Sequence, residues 1–116
     1  MNRPIKLIAF ICLLSAYNFS QILPEWVVTY NGLGTTLSLD KSHSIAVDHT
    51  GNVFVTGESY GAGNNLDYLT IKLNPSGDTL WTRRYNGTGD SSDVATDIAV
   101  DALGNSYVTG RSFGDN

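Results

Sequence analysis

The chain of 116 residues contains the same passage twice. Residues 45–59 read IAVDHTGNVFVTGES and residues 98–112 read IAVDALGNSYVTGRS, at a constant offset of 53 with ten of fifteen positions identical. A second pair, Trp26-Val27-Val28-Thr29-Tyr30-Asn31-Gly32 and Trp81-Thr82-Arg83-Arg84-Tyr85-Asn86-Gly87, recurs at an offset of 55, so the loop between the two passages changes length by two. A fixed period of this size marks a repeat architecture, in which each copy is one supersecondary unit that buries its faces against its neighbours.

Each segment of the unit has strand character. Ser44 to Asp48 is short and β-branched, and Asn52 to Gly57 is rich in Val, Phe and Thr. Tyr68 to Leu73 alternates, with Leu69, Ile71 and Leu73 on one side and Tyr68, Thr70 and Lys72 on the other. Thr79 to Tyr85 places Trp81, Arg83 and Tyr85 together. Between the first two strands, Asp48, Gly51 and Asn52 make a tight turn with the glycine in its last place, and Asp101, Gly104 and Asn105 repeat it. These six residues read as structural turn residues. Asn74-Pro75-Ser76-Gly77-Asp78 is a further turn signal, and no helical period appears beyond the N-terminal segment. The expected fold is all-β, built from four antiparallel strands per repeat: a (44–48), b (52–57), c (68–73) and d (79–85). Four-stranded units at a period of roughly 40–50 residues are the blades of a β-propeller.

The pattern Ala-Val-Asp-x-x-Gly-Asn-x-Tyr/Phe-Val-Thr-Gly, then Asp-Tyr-x-x-x-Lys-Leu-Asn-Pro-x-Gly, then Leu-Trp-x-x-x-Tyr, resembles the SBBP repeat. Residues 46–57, 67–77 and 80–85 carry the resemblance, and 99–110 carry it again. The NHL repeat shares the Asp-x-x-Gly-Asn turn, but the Trp-x-x-x-Tyr strand and the Thr-Gly ending fit SBBP better. No Trp-Asp pair supports a WD-type repeat. The resemblance implies a bacterial seven-bladed propeller of an exported protein, without a firmly assigned activity.

Export is also legible at the N-terminus. Arg3 and Lys6 precede an apolar run, Leu7 to Leu14, that fades through Ser15, Ala16 and the polar stretch to Gln21. This is the layout of a secretory signal peptide over residues 1–20. Cleavage is expected after Ser20, with Ala16 as the alternative. The run is shorter than the ~20 residues a spanning helix needs. Cleavage removes the only cysteine, Cys12, and two of seven positive charges but none of the eleven negative ones. The mature chain, residues 21–116, is then acidic and thiol-free, expected outside the cell or at its surface. Such a chain is neither a basic nucleic-acid binder nor a disulfide scaffold.

The strands do not tile whole blades. An orphan d strand (25–31), a full blade (44–85) and the start of the next (97–112) amount to about 1.75 blades. A leading d strand is what a propeller uses to complete its last blade. A lone blade would leave both faces wet, so downstream blades of the same chain are expected partners. The sequence reads as the N-terminal part of a longer protein.

Few residues carry chemistry. Gly57-Glu58-Ser59-Tyr60-Gly61 matches the Gly-x-Ser-x-Gly nucleophile elbow, but Gly110-Arg111-Ser112-Phe113-Gly114 matches it one repeat later and no helix follows. No catalytic residue is assigned and no enzymatic activity is expected. The acidic loop 90–97 lacks the interleaved spacing of a calcium site. His43 and His49 are isolated in sequence, and Asn86-Gly87-Thr88 is a sequon by pattern alone. No metal or cofactor is expected. In a propeller the d–a and b–c connections share one face; here they are 31–43, 58–67 and 86–97. Their polar residues, Tyr60, Asn64, Asn65, Asp67, Asp90 and Asp93, are the candidate ligand-binding set. The expected role is an exported, non-catalytic module that presents this face to a protein or surface partner. The alternative is a carbohydrate-binding propeller attached to a degradative domain downstream.

Overall fold

A computed structural model describes residues 25–32, 39–63, 65–89 and 91–114. The expected signal peptide, Asn64 and Asp90 lie outside the described residues. The described part is all-β, in six strands. Strands β1 (Asp40–Val47), β2 (Val53–Tyr60), β3 (Leu66–Leu73) and β4 (Thr79–Tyr85) form an antiparallel sheet in sequential order. Strands β5 (Val94–Val100) and β6 (Ser106–Arg111) form a second, two-stranded antiparallel sheet. The four-stranded blade and the opening hairpin of the next are therefore present. No helix of the described residues is long and apolar enough to cross a membrane.

Strand β1 starts four residues before the expected a strand. Its ladder continues through Asp40, Lys41 and Ser42, opposite Ser59, Glu58 and Gly57, past a bulge at His43. A second bulge falls at Thr96, between Ala95 and Asp97, the equivalent place in the second repeat. The bulged strand crowds its partner. A Cβ at Gly57 would lie 1.8 Å from the Lys41 carbonyl oxygen, and one at Gly110 would lie 2.1 Å from that of Val94. This close approach explains the glycine that ends Val-Thr-Gly in both copies.

The pairing register gives the first sheet two unlike faces. Ile45, Val47, Val53, Val55, Leu69, Ile71 and Leu73 form an apolar face. Phe54, Thr56, Glu58, Tyr68, Thr70 and Trp81 form an aromatic and polar one. On the latter, Phe54 meets Trp81 edge-on at 5.9 Å, Lys72 lies over the Phe54 ring at 4.8 Å, and Thr56 bonds Thr70 through their hydroxyls at 3.0 Å. The second sheet packs on this face: β5 lies against β1, β2 and β3, and the Ser44 hydroxyl donates to Asp97 at 2.7 Å.

Residues 26–32 form no strand ladder, although an orphan strand was expected there; no partner strand of their own blade stands beside them among the described residues. They run instead over the outer half of the apolar face. The Trp26 indole N–H donates to the Pro75 carbonyl at 3.0 Å, and Arg84 reaches the Tyr30 hydroxyl at 3.5 Å. A cavity of about 300 Å³ lies beneath, lined by Trp26, Val28, Val55, Leu69 and Leu73 among others. Leu69 and Leu73 are buried, so the apolar face is less wet than a lone blade would leave it.

Candidate functional site

The turn between strands a and b is built by one carboxylate. Asp48 Oδ1 accepts from the backbone N–H groups of Thr50 and Asn52, both at 2.9 Å, and from the Thr50 hydroxyl, while Oδ2 accepts from the Asn52 amide. Asp101 does the same with Leu103 and Asn105, and also accepts from the Tyr107 hydroxyl at 3.0 Å. The third turn inverts the pair: Asn74 Oδ1 accepts from Ser76 and Asp78 N–H, and its amide donates to Asp78. Gly51, Gly77 and Gly104 sit at φ of 84°, 87° and 80°, the left-handed conformation each turn requires. The Asn52 side-chain amide, helped by Thr50 and the backbone, holds the Asp48 carboxyl well below the usual carboxylate range, and the Asn105 amide lowers Asp101 likewise.

At the opposite end of the strands lie the d–a and b–c connections. Asp93, placed by sequence among the ligand-facing residues, is fully buried. Its carboxylate accepts from the backbone N–H groups of Gly87 and Phe113 and from Ser112, while its own N–H donates to the Leu66 carbonyl. Burial alone would push its acidity down, but those donors outweigh it, and the carboxyl is held below its ordinary range. Asp40 is the same residue one repeat earlier and accepts from Gly32 N–H at 2.9 Å. Each of these aspartates ties the Tyr-Asn-Gly that follows a d strand to the start of the next a strand. The signal was in the sequence: 40 and 93 differ by the repeat offset of 53.

Asp67 is also buried, 3.1 Å from the Arg84 guanidinium. Arg84 donates further to the Ser59 carbonyl at 2.9 Å and the Ser59 hydroxyl at 3.0 Å. Ser59, the serine of the elbow-like motif, is fully buried near the end of β2, and no helix follows among the described residues. Of the candidate ligand set, the structure buries Asp67 and Asp93, each in a separate internal brace. It leaves Tyr60 and Asn65 half-buried at the rim of the same end. Arg84 and Asp40 were missed, because arginine on a strand reads as a solvated face until its partners are placed.

A second constellation was also missed. His43, isolated in sequence, stands on the β1 bulge with Nε2 3.5 Å from Glu58 Oε2, and Lys41 Nζ lies 3.7 Å from Glu58 Oε1. Glu58 is buried, while Lys41 and His43 are exposed. The second repeat has Val94, Thr96 and Arg111 at these places, so this cluster belongs to the first repeat only. Among the described residues no group of three His, Cys, Asp or Glu is arranged to hold a metal.

The SBBP family, described as a beta-propeller repeat, matches residues 28–66 and 80–116, well over half of the chain. The chain belongs to this family. Both matches begin in a d-type segment and run into the following a–b hairpin, as the sequence repeats do. Among curated proteins, no sequence matches the chain.

Proposed function

We propose that the protein is an exported, non-catalytic propeller module that presents the end formed by its d–a and b–c connections to a partner outside the cell. The observations that carry this reading are two buried braces beneath that end: Asp93 on Gly87 and Phe113, and Arg84 on Asp67 and Ser59. Asp93 holds backbone directly and Asp67 does so through Arg84 and the Ser59 carbonyl, which makes a rigid platform for the residues at the rim, Tyr60 and Asn65. Export rests on the signal-like residues 1–20.

A glycan partner is the second reading. It is favoured by the aromatic pair Tyr60 and Phe113, which occupy equivalent places in successive repeats; Phe113 is exposed, with the Arg111 guanidinium 6.0 Å from its ring. The test is biosensor binding of the immobilised chain to cell-envelope extract of the producing bacterium. Binding abolished by protease but not by periodate supports a protein partner, and the reverse supports a glycan. Absence of binding, or binding unchanged in Tyr60→Ala and Phe113→Ala, overturns the assignment of this end.

A further inference from the structure

The chain holds two Asn-Gly pairs, Asn31-Gly32 and Asn86-Gly87, at equivalent places after a d-type segment. Asn-Gly is the dipeptide most open to spontaneous loss of the side-chain amide. The backbone nitrogen of the glycine attacks the Asn Cγ. An N–Cγ bond forms, the Cγ–Nδ2 bond breaks, and the proton of the attacking nitrogen leaves with ammonia. Water then opens the cyclic succinimide to aspartate or isoaspartate. A side chain on the second residue obstructs the attack, and glycine has none.

Packing fixes both glycines, so the hazard cannot be removed by substitution. A Cβ at Gly87 would lie 2.3 Å from Ser112 Oγ and 3.0 Å from Asp93 Oδ1. One at Gly32 would lie 2.5 Å from Ser59 Oγ and 2.6 Å from Asp40 Oδ1. In both repeats the aspartate that crowds the glycine also takes hold of the attacking atom. The Gly87 N–H donates to Asp93 Oδ2 and the Gly32 N–H to Asp40 Oδ2. A nitrogen whose proton is bound to a carboxylate must break that bond before it can turn to the neighbouring Cγ and shed the proton. Gly87 and Asp93 are buried, so breaking their bond strands both groups away from water. Asn31 and Asn86 themselves are exposed.

We propose that Asn31 and Asn86 are sites of succinimide modification, held closed by Asp40 and Asp93 while the repeats are folded. Isoaspartate at position 86 adds one methylene to the backbone immediately before Gly87, and so shifts the N–H that Asp93 binds between β4 and β5.

Peptide mapping by mass spectrometry of the full chain, aged in mildly alkaline buffer, tests this against unfolded peptides spanning each pair. Conversion at each asparagine of the folded chain is expected to be about tenfold or more slower than in its peptide, the factor that one hydrogen bond to a charged group contributes. Asp93→Ala should raise the rate at Asn86 about tenfold and leave Asn31 at its wild-type rate, and Asp40→Ala should do the reverse. The second asparagine thus serves as the control for folding within the same molecule. If Asp93→Ala speeds both sites alike, the chain has unfolded, and Asp93→Asn takes its place, keeping the shape without the charge. It should speed Asn86 by a smaller factor, again without moving Asn31. A folded wild type that converts at the peptide rate overturns the proposal, as does an Asn86 that stays slow in both Asp93 variants. Slower conversion in Asp93→Ala overturns it too, because the carboxylate would then be the base that draws the proton and drives the attack.

Discussion

Ile45 and Ile98 are the same residue in two copies of one sequence, yet one is 65% exposed and the other 7%. Phe54 and Tyr107 differ in the opposite sense: Phe54 is fully buried and Tyr107 is 60% exposed. Neither contrast comes from local sequence. The first repeat offers its aromatic face to a neighbour and the second its apolar face. In a stacked repeat, burial is a property of the junction between units, so identical residues acquire different energies.

The contrast can be broken by matched substitutions. The largest effect is expected at Phe54→Ala, which removes a fully buried ring packed against Trp81 and Lys72 and costs about 3–5 kcal/mol. Tyr107→Ala should shift the urea midpoint far less. Next is Ile98→Ala, at about 2–4 kcal/mol, against roughly 0.5 kcal/mol for Ile45→Ala in dilute solution. Equal losses within either pair would mean that the two sheets do not stack as described.

The two repeats also differ in how fully they use the aspartate that joins one unit to the next. Asp93 bonds two backbone N–H groups and Ser112, whereas Asp40 bonds Gly32 through one oxygen while Oδ1 is buried without a partner among the described residues. Asp93→Ala therefore leaves several donors orphaned and is expected to cost about 1–3 kcal/mol, with Asp40→Ala costing less. Thermal denaturation of the two variants side by side reads the difference. A larger loss at Asp40 would reverse the ranking.

How far the sequence could be read follows from the same distinction between unit and junction. The repeat offset, the alternation in Tyr68–Leu73 and the Asp-x-x-Gly-Asn turn are local, and the strand order follows from them. The bulges at His43 and Thr96 were hidden, because Asp40-Lys41-Ser42-His43 has the composition of a loop and only the ladder to Gly57 and Glu58 shows otherwise. Asp67 and Asp93 were placed at the surface because acidic residues in a Gly-rich connection are usually solvated. Their burial depends on Arg84, seventeen residues beyond Asp67, and on Ser112 and Phe113 in the following strand region. Coverage of the outer apolar face by residues 26–32 could not be foreseen from a strand assignment that gave them a sheet of their own.

Acid should weaken both units through their turns and joints. Asp48, Asp93, Asp97 and Asp101 all have folded-state acidities above normal, so each binds its proton less readily folded than unfolded. Their contribution to stability is present above the unfolded value of about 3.9 and is lost as the pH falls through the lower folded values. The unfolding midpoint is expected to be level from pH 7 to 5 and to fall below about 4. A level profile down to pH 2.5 would show that these carboxylates are no better solvated folded than unfolded.

The smallest effect distinguishes the two turns themselves. Asp101 accepts from the Tyr107 hydroxyl, a bond the first repeat lacks because Phe54 stands in its place; Asp48 instead has Lys72 at 4.0 Å. The same bond pushes the Tyr107 phenol above its ordinary value, since Asp101 holds its proton in place. Tyr107→Phe makes the second turn chemically like the first. It should move the Asp101 carboxyl titration, followed by NMR, back toward the ordinary value, and leave Asp48 where it was. The shift should be partial, because the larger share of the lowering at Asp101 comes from Asn105. An unchanged Asp101 would place the Tyr107 hydroxyl in solvent, and equal movement of Asp48 would mean that the two turns communicate through the stacked sheets.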